Sequence, residues 1–195
     1  MAGIGLRKPY VGVYKYENSA IAYTKGQLLA KAVEFSASIE NNDDNNLHAD
    51  DEIAETDNTF AGGELTITTD DLLPDASALI LGIEPKDITV GEETYQELVY
   101  DDKAITPDMG FGIIIPKMKD GIRKYRTVFF HKIKFNIPED AATTEGESIE
   151  WQTPEISAVI MRDDTENRGW KSEILANSEA DAVAYIEQKL QITNP

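Results

Sequence analysis

The sequence contains no cysteine and only two histidines. Without cysteine the chain can form no disulfide bonds, uses no thiol nucleophile and offers no thiolate ligands to zinc. No run of eighteen apolar residues is present, and the amino end lacks the apolar stretch of a signal peptide, so neither a membrane span nor a leader is expected. These absences fit a protein of a reducing cytoplasm.

Positive charge is also scarce. Eighteen Lys and Arg residues stand against 36 Asp and Glu residues, which gives a formal net charge of −18. Binding to nucleic-acid phosphates needs clustered Lys and Arg, so the overall charge argues against a DNA-binding protein. The hydrophobic fraction of 41% is too high for a disordered acidic tail. At 195 residues the chain is expected to fold as a single domain, residues 1–195.

The charge is unevenly distributed along the chain. Residues 32–85 include fourteen acids and no base, whereas Lys117 to Lys134 include seven bases and one acid, Asp120. Opposed patches of this kind attract each other, either inside one subunit or across a subunit boundary. The pattern therefore favours self-association.

The acidic loop at residues 41–58 is the first candidate for a metal site, because Ca²⁺ prefers carboxylate and amide oxygens. An EF-hand loop needs a glycine at its bend, and "DDNNLHADDEIAE" has none and places Leu47 and Ala49 among the ligand positions. Three interpretations stay open: a solvated loop, a calcium site, and a carboxylate surface that keeps polyanions away.

Motifs of catalysis are absent from the sequence. It contains no P-loop, no HExxH and no GxSxG, and Gly110-Phe111-Gly112 lacks the third glycine of a dinucleotide loop. His48 and His131 are general bases only in principle, since His48 lies in a polar loop and His131 among strand residues. We therefore predict no enzyme, no catalytic or metal-binding residues and no cofactor.

Short strands dominate the hydrophobic pattern. Val33 to Ile39 alternates apolar and polar residues, and Thr59 to Thr69 predicts a second strand with Leu65 and Ile67 inward and a bulge or turn at Gly62-Gly63. Asp120-Gly121 predicts the turn of a hairpin, whose return strand would place Phe129, Ile133 and Phe135 on one face. A weaker strand is expected at "TYQELVY", and two more within "SIEWQTPEISAVIMRDDTENRGWKSEIL".

Two helices are predicted. The first follows Asp70 or Asp71 as its N-cap and ends at Gly82; the second covers residues 178–191 with Ser178 as its cap. Many short strands and two short helices predict a mainly β protein, an antiparallel β-sandwich or barrel with one or two short edge helices. Residues 1–20 are interpreted as an amino-terminal arm.

Two blocks carry a resemblance to a known family: "ADDEIAE…FAGGELTI" around residues 49–67 and "TPEISAVIMRD…GWKSE" around residues 153–173. With the order of the arm, the acidic loop, the helix and the basic hairpin, the chain resembles the major tail proteins of long, non-contractile-tailed bacteriophages. The likeness covers most of the chain and rests on order and spacing, because neither block is a catalytic motif.

The resemblance implies a structural virion protein. Members of this family form β-sandwiches that assemble as hexameric rings and stack into the hollow tail tube through which DNA leaves the capsid. The implied partners are other copies of the chain and further tail proteins: the tape measure, the tail terminator and the distal tail protein. DNA would pass through without specific binding, no membrane would be involved, and assembly would occur in the bacterial cytoplasm.

Other functions stay open at the level of sequence. A tube protein of a type VI secretion or contractile-tail machine shares the fold, a monomeric acidic β-sandwich would act as a binding module that could depend on calcium, and a glycoside hydrolase would need a deep pocket with a perturbed carboxylate.

Two sets of residues are candidates for function within the resemblance. A carboxylate wall would keep a layer of water and cations between protein and DNA phosphate. The candidate lumen-facing residues are Glu34, Ser36, Ser38, Glu40, Glu64 and Thr66, with Thr68 beside them. The candidate inter-ring contacts are Asp43, Asp44, Asp50, Asp51 and Glu52 on the acidic side and Lys117, Lys119, Arg123 and Lys124 on the basic side.

Overall fold

The structure is a computed structural model that describes residues 2–42, 46–49, 52–56, 59–72, 74–102, 104–138 and 153–192. In chain order the strands are β1 (Ala2–Gly3), β2 (Arg7–Glu17), β3 (Ala20–Leu28), β4 (Ala32–Asn41), β5 (Asn46–Ala49), β6 (Glu52–Thr56), β7 (Phe60–Thr69), β8 (Lys86–Val90), β9 (Glu93–Glu97), β10 (Asp108–Lys119), β11 (Ile122–Phe135), β12 (Glu155–Met161) and β13 (Lys171–Ala176). Helix α1 (Pro74–Leu81) lies between β7 and β8, and α2 (Glu179–Lys189) follows β13.

Nine of the strands form one antiparallel sheet. Its order is β3-β2-β10-β11-β12-β7-β4, with β1 paired to β10 and β13 paired to β11. The mainly β prediction with two short helices is confirmed. The sequence predicts an amino-terminal arm over residues 1–20, but residues 7–17 form β2 inside this sheet, because apolar side chains on both faces of the strand, such as Val11 and Tyr14, are buried.

Strand β11 contains a bulge in its middle. Met109 pairs with Ile133 and Phe111 pairs with Phe130, so His131 and Lys132 together lie opposite Gly110. On one side of the bulge β11 pairs with β13, and on the other side it pairs with β12. The two strands of the last pair therefore exist as predicted, but each pairs with β11.

Apolar side chains form two clusters on opposite faces of the sheet. The larger cluster contains Val128, Phe130, Ile133 and Phe135 and is covered by α1, whereas Phe129 belongs to a second cluster under α2. The prediction that Phe129, Ile133 and Phe135 share one face is wrong, because the bulge at residues 131–132 reverses the alternation.

The predicted turns and helix ends are largely confirmed. Asp120 and Gly121 both have positive φ, at 52° and 75°, as the predicted two-residue hairpin requires. Ser178 Oγ accepts the Asp181 N–H at the start of α2. Neither Asp70 nor Asp71 caps α1, because the helix begins at Pro74; the Asp70 carboxylate instead accepts the N–H groups of Lys31 and Asp71.

Gly112 of β10 allows α2 to lie close to the sheet. A Cβ at Gly112 would be 2.8 Å from Ile186 Cγ2 of α2. The irregularity near Gly62-Gly63 lies at Ala61, since Glu40 pairs with Gly62 and Asn41 with Phe60, while both glycines continue the strand.

Candidate assembly surfaces

The first candidate surface is a polar face on three neighbouring strands. The register joins Glu34, Thr68 and Glu155 in one row of β4, β7 and β12. The next rows are Ser36, Thr66 and Ser157, and then Ser38, Glu64 and Val159. Glu40 follows opposite Gly62. All these side chains are exposed or half-buried. We call this surface the polar face.

Register and alternation explain why the polar face is polar. On the opposite side of β7 and β12, Leu65, Ile67, Ile156 and Ala158 are completely buried in the cluster under α1. Successive residues of a strand point to opposite faces, so burial of these residues fixes the polar residues between them on the solvent side. All six predicted lumen-facing residues lie on this one face.

Sequence reasoning missed the contribution of β12 to the polar face. Glu155, Ser157 and Val159 extend it, and Val159 pairs with Lys134 of β11 on its far side. The alternation of Glu155 and Ser157 with buried neighbours was visible in the sequence. The position of β12 beside β7 could not be seen in the sequence, because a pairing between distant segments leaves no local pattern.

The polar face does not form a chelating site. Among the described residues, no group of three or more Asp, Glu or His side chains is placed to hold a metal ion. Carboxylates on adjacent strands are interleaved with hydroxyls of Ser and Thr. The surface is therefore suited to holding water and mobile cations over a wide area.

The second candidate surface lies at the tip of the β10–β11 hairpin. Lys117 pairs with Lys124, and Arg126 lies two residues further along the same face, opposite Leu175 of β13. Leu175 and Ile122 are exposed on this face, at 49% and 61%. Beside it is a shallow depression of about 410 Å³ lined in part by Lys117, Arg126 and Leu175. We call Lys117, Ile122, Lys124, Arg126 and Leu175 the basic face.

The predicted basic set is divided between the two sides of this hairpin. Arg123 lies on the opposite side from Lys124, with Tyr125, which packs against the cluster under α2. Among the salt bridges of the described residues, none involves Lys117, Arg123 or Lys124. Arg126 differs, because its guanidinium is 2.6 Å from Glu173 Oε2.

The acidic loop contains a small hairpin in which β5 pairs with β6. Four predicted contact residues of this loop lie outside the described residues: Asp43, Asp44, Asp50 and Asp51. The side chains of Glu52 in β6 and of Lys119 in β10 are also outside the described part of the structure. The antiparallel order places the β5–β6 hairpin and the β10–β11 tip at the same end of the strands, because β4 ends where β11 begins.

A third feature is a partly buried polar cluster at the bulge of β11. His131 Nδ1 is 2.8 Å from Asp163 Oδ2, and His131 Nε2 is 3.2 Å from Ser172 Oγ. The Tyr185 hydroxyl of α2 donates to the same Ser172 oxygen, and Thr165 donates to Asp163 Oδ1. Burial raises the pKa of the Asp163 carboxyl, but the hydrogen bonds from Thr165 and His131 lower it overall below its ordinary value of 3.8.

The order Ser172, His131 and Asp163 is that of a serine nucleophile and its base. Ser172, however, lies inside a strand, and Tyr185 already occupies its oxygen. The backbone N–H of His131 donates to Trp170 O. Because hydrogen-bonded pairs alternate along an antiparallel ladder, the backbone N–H of Ser172 donates to Phe129 O and is not available to stabilise an oxyanion. The cluster is therefore suited to fastening α2 and residues 162–170 to β11.

Gly169 makes room for this cluster. A Cβ at Gly169 would be 2.9 Å from both Asp163 Oδ2 and His131 Nδ1. His131 was considered as a general base from the sequence, but its partners were not found, because Asp163 and Ser172 are distant in the chain. The other histidine, His48, lies in β5, and its side chain is outside the described residues.

Comparison with family models finds no match for this chain, and comparison with curated proteins finds none either. Across the part of the chain that the structure describes, no helix has the length and apolar composition needed to cross a membrane.

Proposed function

We propose that the chain is a structural subunit that polymerises as stacked hexameric rings into the hollow tail tube of a long, non-contractile-tailed bacteriophage. The single observation that carries this proposal is the polar face, a wide carboxylate and hydroxyl surface on three strands, of which β7 and β12 are buried on their other side. Lining a channel with such a surface would leave DNA phosphates few cationic partners, so that DNA slides and does not bind.

The ends of the sheet support the proposal. Strand β4, which contributes Glu34 to Glu40 to the polar face, is the last strand of the sheet path, and β3 is the first. A strand at a sheet end has unpaired N–H and C=O groups that can pair with another chain. Pairing through the β4 edge would continue the polar face from one subunit into the next around a ring.

The resemblance to major tail proteins supports the same function independently of the geometry. It rests on the blocks around residues 49–67 and 153–173, which here form the β5–β6 hairpin, β7, β12 and the start of β13. In this proposal the protein is not an enzyme, the tape measure, terminator and distal tail proteins are its partners, and the virion tail is its location.

The proposal is tested by negative-stain electron microscopy and light scattering of the purified protein over a range of concentrations. We expect hollow rings or tubes about 100 Å wide, as for a ring of six domains of this size. A protein that stays monomeric at high concentration, both alone and with a preformed tail tip as initiator, would contradict the proposal.

A charge-reversal variant tests the role of the basic hairpin in the same assay. Replacing Lys117, Lys119, Arg123 and Lys124 with Glu should abolish tubes while the far-ultraviolet circular dichroism stays that of the folded monomer. Lys15 is on β2, which is paired with a strand on each side, so Lys15→Glu is a control that should still polymerise. Normal tubes from the fourfold variant would exclude the hairpin from the contact.

A further inference from the structure

Strands β8 and β9 form a hairpin that pairs with no strand of the main sheet. All ten of its strand residues are exposed. Two-stranded hairpins are marginally stable by themselves in water, so an isolated one normally packs against a further surface. No surface among the described residues of this chain covers the hairpin, which makes it a candidate for contact with another molecule.

One face of this hairpin combines apolar and acidic side chains. Ile88 pairs with Tyr95 and Val90 pairs with Glu93, so these four side chains share a face, and Glu97 extends it together with its cross-strand partner Lys86. Ile88, Val90 and Tyr95 are 39%, 61% and 51% exposed. The Tyr95 hydroxyl donates to Glu93 Oε2 at 2.8 Å, which orients the carboxylate along the apolar stripe.

The charge of the whole segment has one sign. Residues 84–102 contain seven acids and a single base, Lys86. Because the chain has a net charge of −18, other copies of it offer few basic surfaces that are complementary to this acidic segment. The basic face is such a complementary surface. Lys117 and Lys124 have no acidic partner among the described residues, and the apolar side chains of Ile122 and Leu175 are exposed beside them.

Chain direction places the two surfaces at opposite ends of the strands. The β8–β9 hairpin follows the carboxyl end of β7 and precedes the amino end of β10 in the chain. In the antiparallel order these two strand ends lie at the same end of the sheet. The basic face lies at the carboxyl end of β10, at the hairpin tip. Complementary surfaces at opposite ends generate an open, head-to-tail polymer.

We propose that the β8–β9 hairpin docks on the basic face of a second copy of the chain. Ile88, Val90 and Tyr95 pack against Ile122 and Leu175, while Glu93 and Glu97 meet Lys117 and Lys124. This inference rests on the proposed polymerisation and names one of its contacts. The β8–β9 hairpin of one copy is then the acidic partner of the β10–β11 hairpin in the next copy. The β5–β6 hairpin is poorly placed for this role, because it lies at the same end of the strands as the β10–β11 tip.

The absence of cysteine allows a direct test by disulfide trapping. Val90→Cys in one preparation is mixed with Leu175→Cys in another and oxidised, so that only a contact between copies can produce the mixed dimer. Thr89→Cys with Leu175→Cys is the matched control, because Thr89 lies on the other face of the hairpin. We expect at least tenfold more mixed dimer from the Val90 pair than from the Thr89 pair.

Charge reversal provides the second arm. Glu93→Lys with Glu97→Lys should prevent polymerisation, and so should Lys117→Glu with Lys124→Glu, whereas the two changes combined in one chain should restore it. Asp87→Lys with Glu92→Lys alters the charge equally, but Asp87 lies on the other face and Glu92 in the turn, so this variant should polymerise.

Equal trapping of Val90 and Thr89, or no mixed dimer at all, would overturn the docking of this hairpin. Tubes that form without a mixed dimer would leave the proposed tube function in place and remove only this contact. A protein that forms neither tubes nor a mixed dimer would contradict both.

Discussion

At the scale of single residues, the pair of His131 and Asp163 joins segments that are distant in the sequence. His131 is on the bulge of β11, and Asp163 begins the turn between β12 and β13, where its N–H donates to Gly169 O. Only 3% of the Asp163 side chain is exposed. Because a buried acceptor that loses its donor carries its full desolvation cost, the pair is expected to contribute measurably to stability.

Asp163→Asn tests this contribution through its pH dependence. The substitution should lower the free energy of unfolding by about 1–3 kcal/mol at neutral pH. The folded-state pKa of Asp163 is below its ordinary value of 3.8, so its stabilisation is complete above that value and is lost as the pH falls through the folded-state pKa. Urea unfolding from pH 7 down to pH 2.5 should therefore show the difference between the two proteins shrinking with acid.

Asp87→Asn is the control for this measurement, since Asp87 is exposed on β8. It should change neither the stability at pH 7 nor the slope in acid. A constant difference between Asp163→Asn and the unchanged protein across this pH range would show that the charge of Asp163 does not matter.

At the scale of secondary-structure elements, the contact between β10 and α2 depends on the absence of a side chain at Gly112. Gly112→Ala should lower the free energy of unfolding by about 1–3 kcal/mol, because the new methyl group would overlap Ile186. Chemical denaturation measures the change. Adding Ile186→Ala to Gly112→Ala should cost less than the sum of the two single changes, since the methyl group then fills part of the space left by Ile186.

Gly62→Ala is the matched control in β7. A Cβ there would meet only Glu40 Oε2, at 3.8 Å, and Gly62 has no positive φ. The control should change stability by less than about 0.5 kcal/mol. Additive costs of Gly112→Ala and Ile186→Ala would contradict the proposed close approach of α2.

Local patterns predicted most of the elements and few of their pairings. The alternation around Leu65 and Ile67 and the turn at Asp120-Gly121 specify strands and a hairpin by local chemistry, and the structure agrees. The bulge at His131 was not predictable, because the sequence keeps its alternation through that point. Strand β8 was missed because it has no buried face to create a pattern.

The candidate surfaces were predictable to different degrees for the same reason. The residues of β4 and β7 on the polar face follow from alternation within each strand. The β12 part of that face, the partners of His131 and the opposite placement of the β8–β9 hairpin and the basic face depend on which distant strands are neighbours.

At the scale of the whole molecule, a net charge of −18 opposes association of copies at long range, while the basic face favours it at contact. Charge interactions reach about 30 Å at 0.01 M salt and about 8 Å at 0.15 M. Raising the salt from 0.01 M to 0.15 M should therefore lower the critical concentration for polymerisation, since the repulsion is screened first.

Sedimentation at a series of protein concentrations measures this dependence. Further salt, towards 1 M, should raise the critical concentration again as contacts between Lys and Glu weaken. Lys117→Glu with Lys124→Glu should not polymerise at any salt concentration. A critical concentration that rises steadily from the lowest salt would show that attraction dominates at every distance.

The order of the strands also has a consequence for synthesis of the protein. Strand β2 cannot pair with β10, nor β7 with β12, until segments about a hundred residues later have left the ribosome. Until then only local pairs such as β2–β3 and β4–β7 can form, with their apolar faces uncovered. Long-range pairing of this kind folds slowly and exposes sheet edges to aggregation. The nascent chain, more than the finished subunit, is therefore the form that would depend on a chaperone.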